Sequence, residues 1–182
     1  MFGGFDKGRA IGPPTTWGDA PPQLLDIVMG VETGGSPFSG FSQKSGLLLD
    51  NTSTHNQLPV FPDPLAPYLH LPRDTCDNLA KYLPVYFDMN SGYYLWNTSD
   101  PTYTNITSSA GYLGFVFPPA TGDTDDVTIK VPFALLNLTL GQRASGVSGK
   151  IPYFPCRAYT PPGSGQGAVS YTHLTLPTKR IV

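Results

Sequence analysis

The chain has 182 residues, with Lys and Arg numbering 11 against 13 Asp and Glu, a formal net charge of −2. That length suits one domain with a sizeable core, and with no basic run the chain offers no electrostatic footprint for nucleic acid. Charged residues make up 13% and hydrophobic ones 40%, a balance that excludes a solvated, disordered polymer.

Gly and Pro number 20 each, Tyr and Phe 10 each. Turn-formers together with aromatics predict a β-rich domain of many short strands. The opening "MFGGFDKGRAIG" has neither the basic region nor the apolar run of a signal peptide. "LLDIVMGVET" alternates in the two-residue period of a half-buried strand, with Leu25, Ile27, Met29 and Val31 on one face. "GVETGGSPFSGFSQKSG" reads as a loop. "PVFPDPLAPYLHLP", residues 59–72, sets one carboxylate, Asp63, between two prolines in an apolar segment, and acids in apolar surroundings are rare unless paired or functional.

A helix is predicted over Arg73–Leu83. Cys76, Leu79, Ala80 and Leu83 recur at helical spacing, Pro72 and Pro84 bracket the segment, and Asp74 and Asp77 sit early, where the helix dipole favours negative charge. "GYYLWN" is a short aromatic strand, and "YLGFVFP" puts Leu113, Phe115 and Phe117 on one face. "PPATGDTDD" is a loop. "DVTIKVPFALLNLTL" gives Val127, Ile129, Val131 and Phe133, then changes phase to Leu136, Leu138 and Leu140, which predicts a bulge or corner near Pro132. "RASGVSGK" is a connector. No fixed-period repeat or domain-splitting linker interrupts the chain, so residues 1–167 read as one mostly β unit. The string "VSYTHLTLPT" resembles a translated transposase sequencing adapter. Residues 168–182 are therefore expected to be a non-native tail, the native chain being cut off near Gly167, and His173, Lys179 and Arg180 carry no functional weight.

Four N-x-S/T sequons occur, at Asn51, Asn97, Asn105 and Asn137. Together they point to a secreted, glycosylated protein, extracellular or associated with a cell wall, against the simpler reading that an Asn- and Thr-rich chain makes sequons by chance. No apolar run approaches the roughly 18 residues that span a membrane. The two cysteines, Cys76 and Cys156, read in a secreted chain as one disulfide tying the helix to the "YFPC" segment. The alternatives are a partner in a missing part of the protein or a free thiol. His55 and His70 stand in no metal-ligand spacing, no G-x-S-x-G elbow is present, and the glycines of "MFGGFDKG" lack phosphate-binding spacing. No metal and no cofactor are expected. Asp123, Asp125 and Asp126 read as an acidic surface loop.

"MFGGFDKGRAIGP", "PVFPDPLAPYLHLP", "KVPFALLNL" and "YFPCR" together resemble the C-terminal lobe of a pepsin-like aspartic peptidase of the secreted fungal type, over about residues 1–167. The resemblance implies a mostly β lobe with one or two short helices, truncated, whose partner would be the missing N-terminal lobe and whose substrate would be a peptide or protein. In that family one Asp from each lobe meets across a cleft, and the two share a proton and activate a water. The resemblance places Asp63 as the C-terminal lobe's catalytic acid. There the family has Thr or Ser, Gly, then Thr or Ser after the Asp, whereas this chain has Pro64, Leu65 and Ala66. Pro64 removes a backbone donor and a hydroxyl, Leu65 puts a side chain where a backbone should approach closely, and Ala66 removes the second hydroxyl. Losing all three supports loosens or blocks the constellation.

No D-T-G or D-S-G stands elsewhere in the chain, so the chain alone is expected to lack peptidase activity. Asp63 keeps three readings: a working acid in the full-length protein, the relic of one in a non-catalytic homologue, or an Asp-Pro turn residue. The competing class is a non-enzymatic secreted β module that binds glycan, or a cell-wall or protein partner, through aromatics such as Tyr94 and Trp96. A third reading is a piece without function of its own that exposes an apolar edge.

Overall fold

The computed structural model describes residues 17, 21–49, 57–62, 67–141, 150–159 and 173–174. The chain is mostly β, as the composition predicts, with two α-helices among the described residues. In order the strands are β1 (Gln23–Leu24), β2 (Asp26–Val31), β3 (Gln43–Lys44), β4 (Leu58–Pro59), β5 (Phe61–Pro62) and β6 (Leu69–Pro72). Helix α1 (Arg73–Ala80) follows at once, then β7 (Val85–Asp88), β8 (Tyr93–Trp96), helix α2 (Pro101–Ser108), β9 (Gly111–Phe117) and β10 (Val127–Pro132). A short 3-10 turn (Phe133–Leu135) leads to β11 (Leu138–Leu140), β12 (Ile151–Phe154), β13 (Cys156–Tyr159) and β14 (His173–Leu174).

Three four-stranded sheets and one two-stranded ladder, β1 with β4, organise these elements. The first sheet, β10-β9-β2-β3, is antiparallel, with Ile27 opposite Phe115 and Ile129 opposite Phe115 on the other side. The second, β11-β12-β8-β7, is also antiparallel. The third, β13-β6-β14-β5, is mixed: β13 runs parallel to β6 and β14 parallel to β5, while β14 is antiparallel to β6. Two residues of the segment read as a non-native tail therefore pair with strands on both sides of the Asp63 loop.

Alternation explains the core. Ile27, Met29, Leu113, Phe115 and Phe117 point into one cluster that also holds Leu69, Leu71, Leu79, Tyr94, Trp96, Phe133 and Phe154. The expected face of the first long strand starts differently: Leu24 is fully buried and Leu25 only partly so. Pairing changes partner between β1 and β2, from β4 to β9, and the phase resets there, so Leu25 leaves the predicted face while Ile27, Met29 and the partly buried Val31 keep the predicted inward direction. The loop expected after Val31 contains β3, whose Lys44 pairs with Met29.

Helix α1 starts where predicted but stops at Ala80, short of Leu83. Tyr82 and Leu83 donate to Leu79 and Ala80 carbonyls three residues back, at 3.1 and 3.4 Å. The last turn tightens before Pro84, which cannot continue a helix, while Leu83 stays buried at 6% exposure. Asp77 lies beyond the first turn. Its carboxylate accepts from the Tyr94 hydroxyl and sits 3.9 Å from the Arg73 guanidinium, so its contact is tertiary. Thr75 and Asn78 are the buried polar residues of α1. Thr75 exchanges two hydrogen bonds with the Leu49 backbone and Asn78 donates to the Leu47 carbonyl, stitching the helix to the 47–49 segment.

Cys76 of α1 and Cys156 of β13 form the predicted disulfide, closing 80 positions of sequence with Cα atoms 5.9 Å apart. The expected corner near Pro132 is the 3-10 turn that turns β10 toward β11 and seats Phe133 in the core. Among the described residues no helix is long and apolar enough to cross a membrane.

Candidate functional site

The loop holding Asp63, Pro64, Leu65 and Ala66 lies outside the described residues, as do Asn51 and His55. Its flanks are described. The chain leaves β5 at Pro62 and re-enters at Pro67, which is exposed, before Tyr68 and β6. Parallel pairing sets Leu69 opposite Cys156 and His70 opposite Arg157. The chain leaving that segment is thus held by a strand that the disulfide fastens to α1 at Cys76, four residues after β6 ends at Pro72.

An aromatic cluster forms at that exit. The Tyr68 ring lies 5.9 Å from Tyr93 and 6.3 Å from Tyr153, and meets His70 edge-on at 6.1 Å. Tyr93 and Tyr153 belong to a small second apolar cluster with Leu95 and Leu140. Strand alternation makes this possible: Tyr94 and Trp96 go to the main core while Tyr93 and Leu95 go to the other face. The Tyr68 and Tyr93 hydroxyls are 3.2 Å apart, and Arg157 Nη1 donates to the Tyr93 hydroxyl at 2.9 Å. The guanidinium rests over both rings, 5.2 Å from Tyr93 and 5.5 Å from Tyr68.

The hydroxyl contact with Tyr93, aided by burial, raises the Tyr68 pKa, with Arg157 opposing. Burial is the main cause that pushes Tyr153 up to about 12. These phenols therefore stay protonated through the ordinary pH range and serve as donors, not bases. Arg157 is exposed and forms no ion pair among the described residues, so the cluster presents a cation held by two rings. It can orient an anionic or carbonyl group.

A second concavity of about 280 Å³ is lined by Phe38, Phe41, Tyr82, Leu83, Asp100 and Ile106. Its one carboxylate is occupied. Asp100 accepts from Thr102 N at 2.8 Å and from the Thr102 hydroxyl at 2.6 Å, which cap α2 and hold its pKa below the usual range. Asp123, Asp125 and Asp126 are exposed, as the acidic loop predicts.

Tyr94 and Trp96, the aromatics on which glycan binding would rest, are 1% and 3% exposed and offer no ring face to a partner. The Tyr94 pKa is raised by burial first and by its bond to Asp77 second. Of the sequons, Asn97 and Asn105 are exposed, whereas Asn137 is half-buried and donates to the Tyr103 hydroxyl at 2.9 Å. Sequence reasoning missed Asp26. Its carboxylate accepts from the backbone N–H groups of Ile27 and Gly46, both at 2.7 Å, and of Leu47 at 3.1 Å, anchoring the 46–48 segment. It also missed Arg157, whose only sequence cue was a position beside Cys156. No family model, no curated protein and no solved structure matches this chain.

Proposed function

We propose that the chain is the C-terminal-lobe part of a secreted pepsin-like aspartic peptidase homologue, and that its Asp63 loop does not catalyse. The observation that carries the reading is the course of the chain around that loop. A strand ends at Pro62, another begins at Leu69, and a helix opens at Arg73, clamped by Cys76–Cys156. A strand before Asp63, a strand after it and then a helix are compatible with Asp63 occupying the catalytic segment of such a lobe. The mostly β architecture is compatible with it, and a disulfide is compatible with an extracellular protein.

The chemistry argues for a non-catalytic protein. Paired-carboxylate hydrolysis needs two acids that share one proton, and no D-[TS]-G occurs in this chain. Pro64, Leu65 and Ala66 carry none of the hydroxyls that would orient the Asp63 carboxylate. By lineage the ligand is a peptide or protein. The donors of Arg157 and its tyrosines stand beside the loop exit, where a peptide carbonyl or carboxylate could be held. The glycan-binding alternative loses its named surface with the burial of Tyr94 and Trp96. Sequencing the source transcript upstream of Met1 tests the lineage. The expected result is a second lobe bearing D-[TS]-G, and an upstream sequence without such a loop would overturn the assignment.

A further inference from the structure

We propose that the folded protein carries N-linked glycans at Asn97 and Asn105 and none at Asn137, so that the fold sorts its sequons by where it places each carboxamide. The inference rests on the secretory part of the reading above, because only a chain in the secretory route meets the transfer enzyme. In that reaction the Asn Nδ2 attacks C1 of an oligosaccharide carried on a lipid diphosphate. The N–C1 bond forms and the C1–O bond to phosphate breaks. The lipid diphosphate leaves with that electron pair, and Nδ2 gives up one proton. Transfer acts on the unfolded chain, so the fold decides which products can be accommodated.

Asn97 follows β8 directly and is exposed. Its side-chain oxygen accepts from Ser99 N at 3.2 Å, a local turn that leaves Nδ2 without a hydrogen-bond partner among the described residues. Asn105 is exposed on α2, between the exposed Thr104 and the buried Ile106. Its side chain makes no hydrogen bond among the described residues, and its exposure lets a sugar there project from the helix into solvent. Helical geometry is no obstacle: the Thr107 hydroxyl of the same sequon bonds back to the Tyr103 carbonyl at 2.8 Å, and that bond survives the attachment.

Asn137 is different in each respect. Nδ2 donates to the Tyr103 hydroxyl at 2.9 Å, and Oδ1 is buried with no hydrogen-bond partner. Tyr103 in turn packs its ring 5.7 Å from Trp96, itself in the main core. The carboxamide sits between α2 and the start of β11, with Leu136 fully buried on one side. A sugar on Nδ2 must displace Tyr103 and open the contact between α2 and the 3-10 turn. Asn137 is a structural asparagine whose sequon is a by-product of Thr139, which is exposed. Asp100 and Thr102, which lie between the two usable sites in sequence, line the 280 Å³ cleft.

The test expresses the full chain behind a secretory leader in a eukaryotic host. Glycans are released enzymatically in heavy-oxygen water, which marks each formerly occupied Asn as labelled Asp, and the peptides of the secreted, disulfide-closed protein are mapped. Label is expected at Asn97 and Asn105 and absent at Asn137. Asn97→Gln and Asn105→Gln should each remove one glycan, and Asn137→Gln should leave the glycan mass unchanged. Label at Asn137 in the folded fraction overturns the proposal, and so does its absence from Asn97 and Asn105. Because the leader is supplied, such a failure falls on the sorting itself. Native secretion is read separately, from whether the native transcript encodes a leader.

Discussion

Asp26 shows how much one unremarked carboxylate can organise. It lies in a strand whose pattern reads from apolar residues alone, yet it gathers backbone donors from Ile27 and from a segment 20 positions away. Hydrogen bonds to charged groups contribute about 1.5–3 kcal/mol each, and the orphaned donors cost more when buried. Asp26→Ala should therefore destabilise the fold by about 2–3 kcal/mol, read as a lower midpoint in urea unfolding with an unchanged slope. Asp100 has a different signature. Its bonds to Thr102 lower its folded pKa from 3.8. A depressed carboxylate stabilises above its unfolded pKa and loses that contribution as pH falls through the folded value. Unfolding followed from pH 6 down to about pH 2 should show a stability loss below 3.8 that Asp100→Asn reduces. Asp26 carries no cue in the sequence, where it stands inside an apolar strand pattern, whereas Asp100 before Pro101 fits an N-cap. The disposition of Tyr93 and Tyr94 was equally hidden: "GYYLW" announces an aromatic strand, but which face is core depends on what packs on each side.

At the scale of elements, periodicity was informative where strands are long and continuous. Leu113, Phe115 and Phe117 lie in the core as the two-residue pattern predicts, and Cys76, Leu79 and Leu83 are buried at helical spacing. The pattern failed where tertiary pairing interrupts it, as at Leu25. Helix α2 was missed because Thr, Asn and Ile are weak helix formers, although Asp100 as N-cap and Pro101 at the first position were legible signals. Strand β7 was missed because Tyr86 stands exposed among partly buried neighbours, which blurs the alternation. The central strand β9 makes a sharper demand. A Cβ on Gly114 would lie 2.7 Å from Val28 Cγ2 and 3.0 Å from Thr128 Cγ2, both on β-branched side chains of the adjacent strands. Such side chains have few rotamers to yield with. Gly114→Ala should cost about 1–3 kcal/mol, measured as a depressed melting temperature with the same far-ultraviolet spectrum.

For the whole molecule, the disulfide was the best-read long-range feature. Two cysteines in a chain with sequons point to one bridge, and it joins α1 to β13. Closing 80 positions restrains the unfolded chain by an amount worth about 4 kcal/mol. The Cys76→Ala, Cys156→Ala double variant should therefore unfold at a much lower denaturant concentration. The candidate site was legible only in outline. The sequence marks Asp63 and the loss of its supporting hydroxyls, but the Arg157 and tyrosine cluster beside the loop depends on parallel pairing between β6 and β13, which no local pattern encodes.

The most direct test of a non-catalytic Asp63 loop is cleavage of an acid-denatured protein at about pH 3–5, the range in which one of two paired carboxylates is protonated. The full-length parent and its Asp63→Ala variant are assayed side by side. Both should show the same background rate. Cleavage by the parent that Asp63→Ala abolishes would contradict the non-catalytic reading.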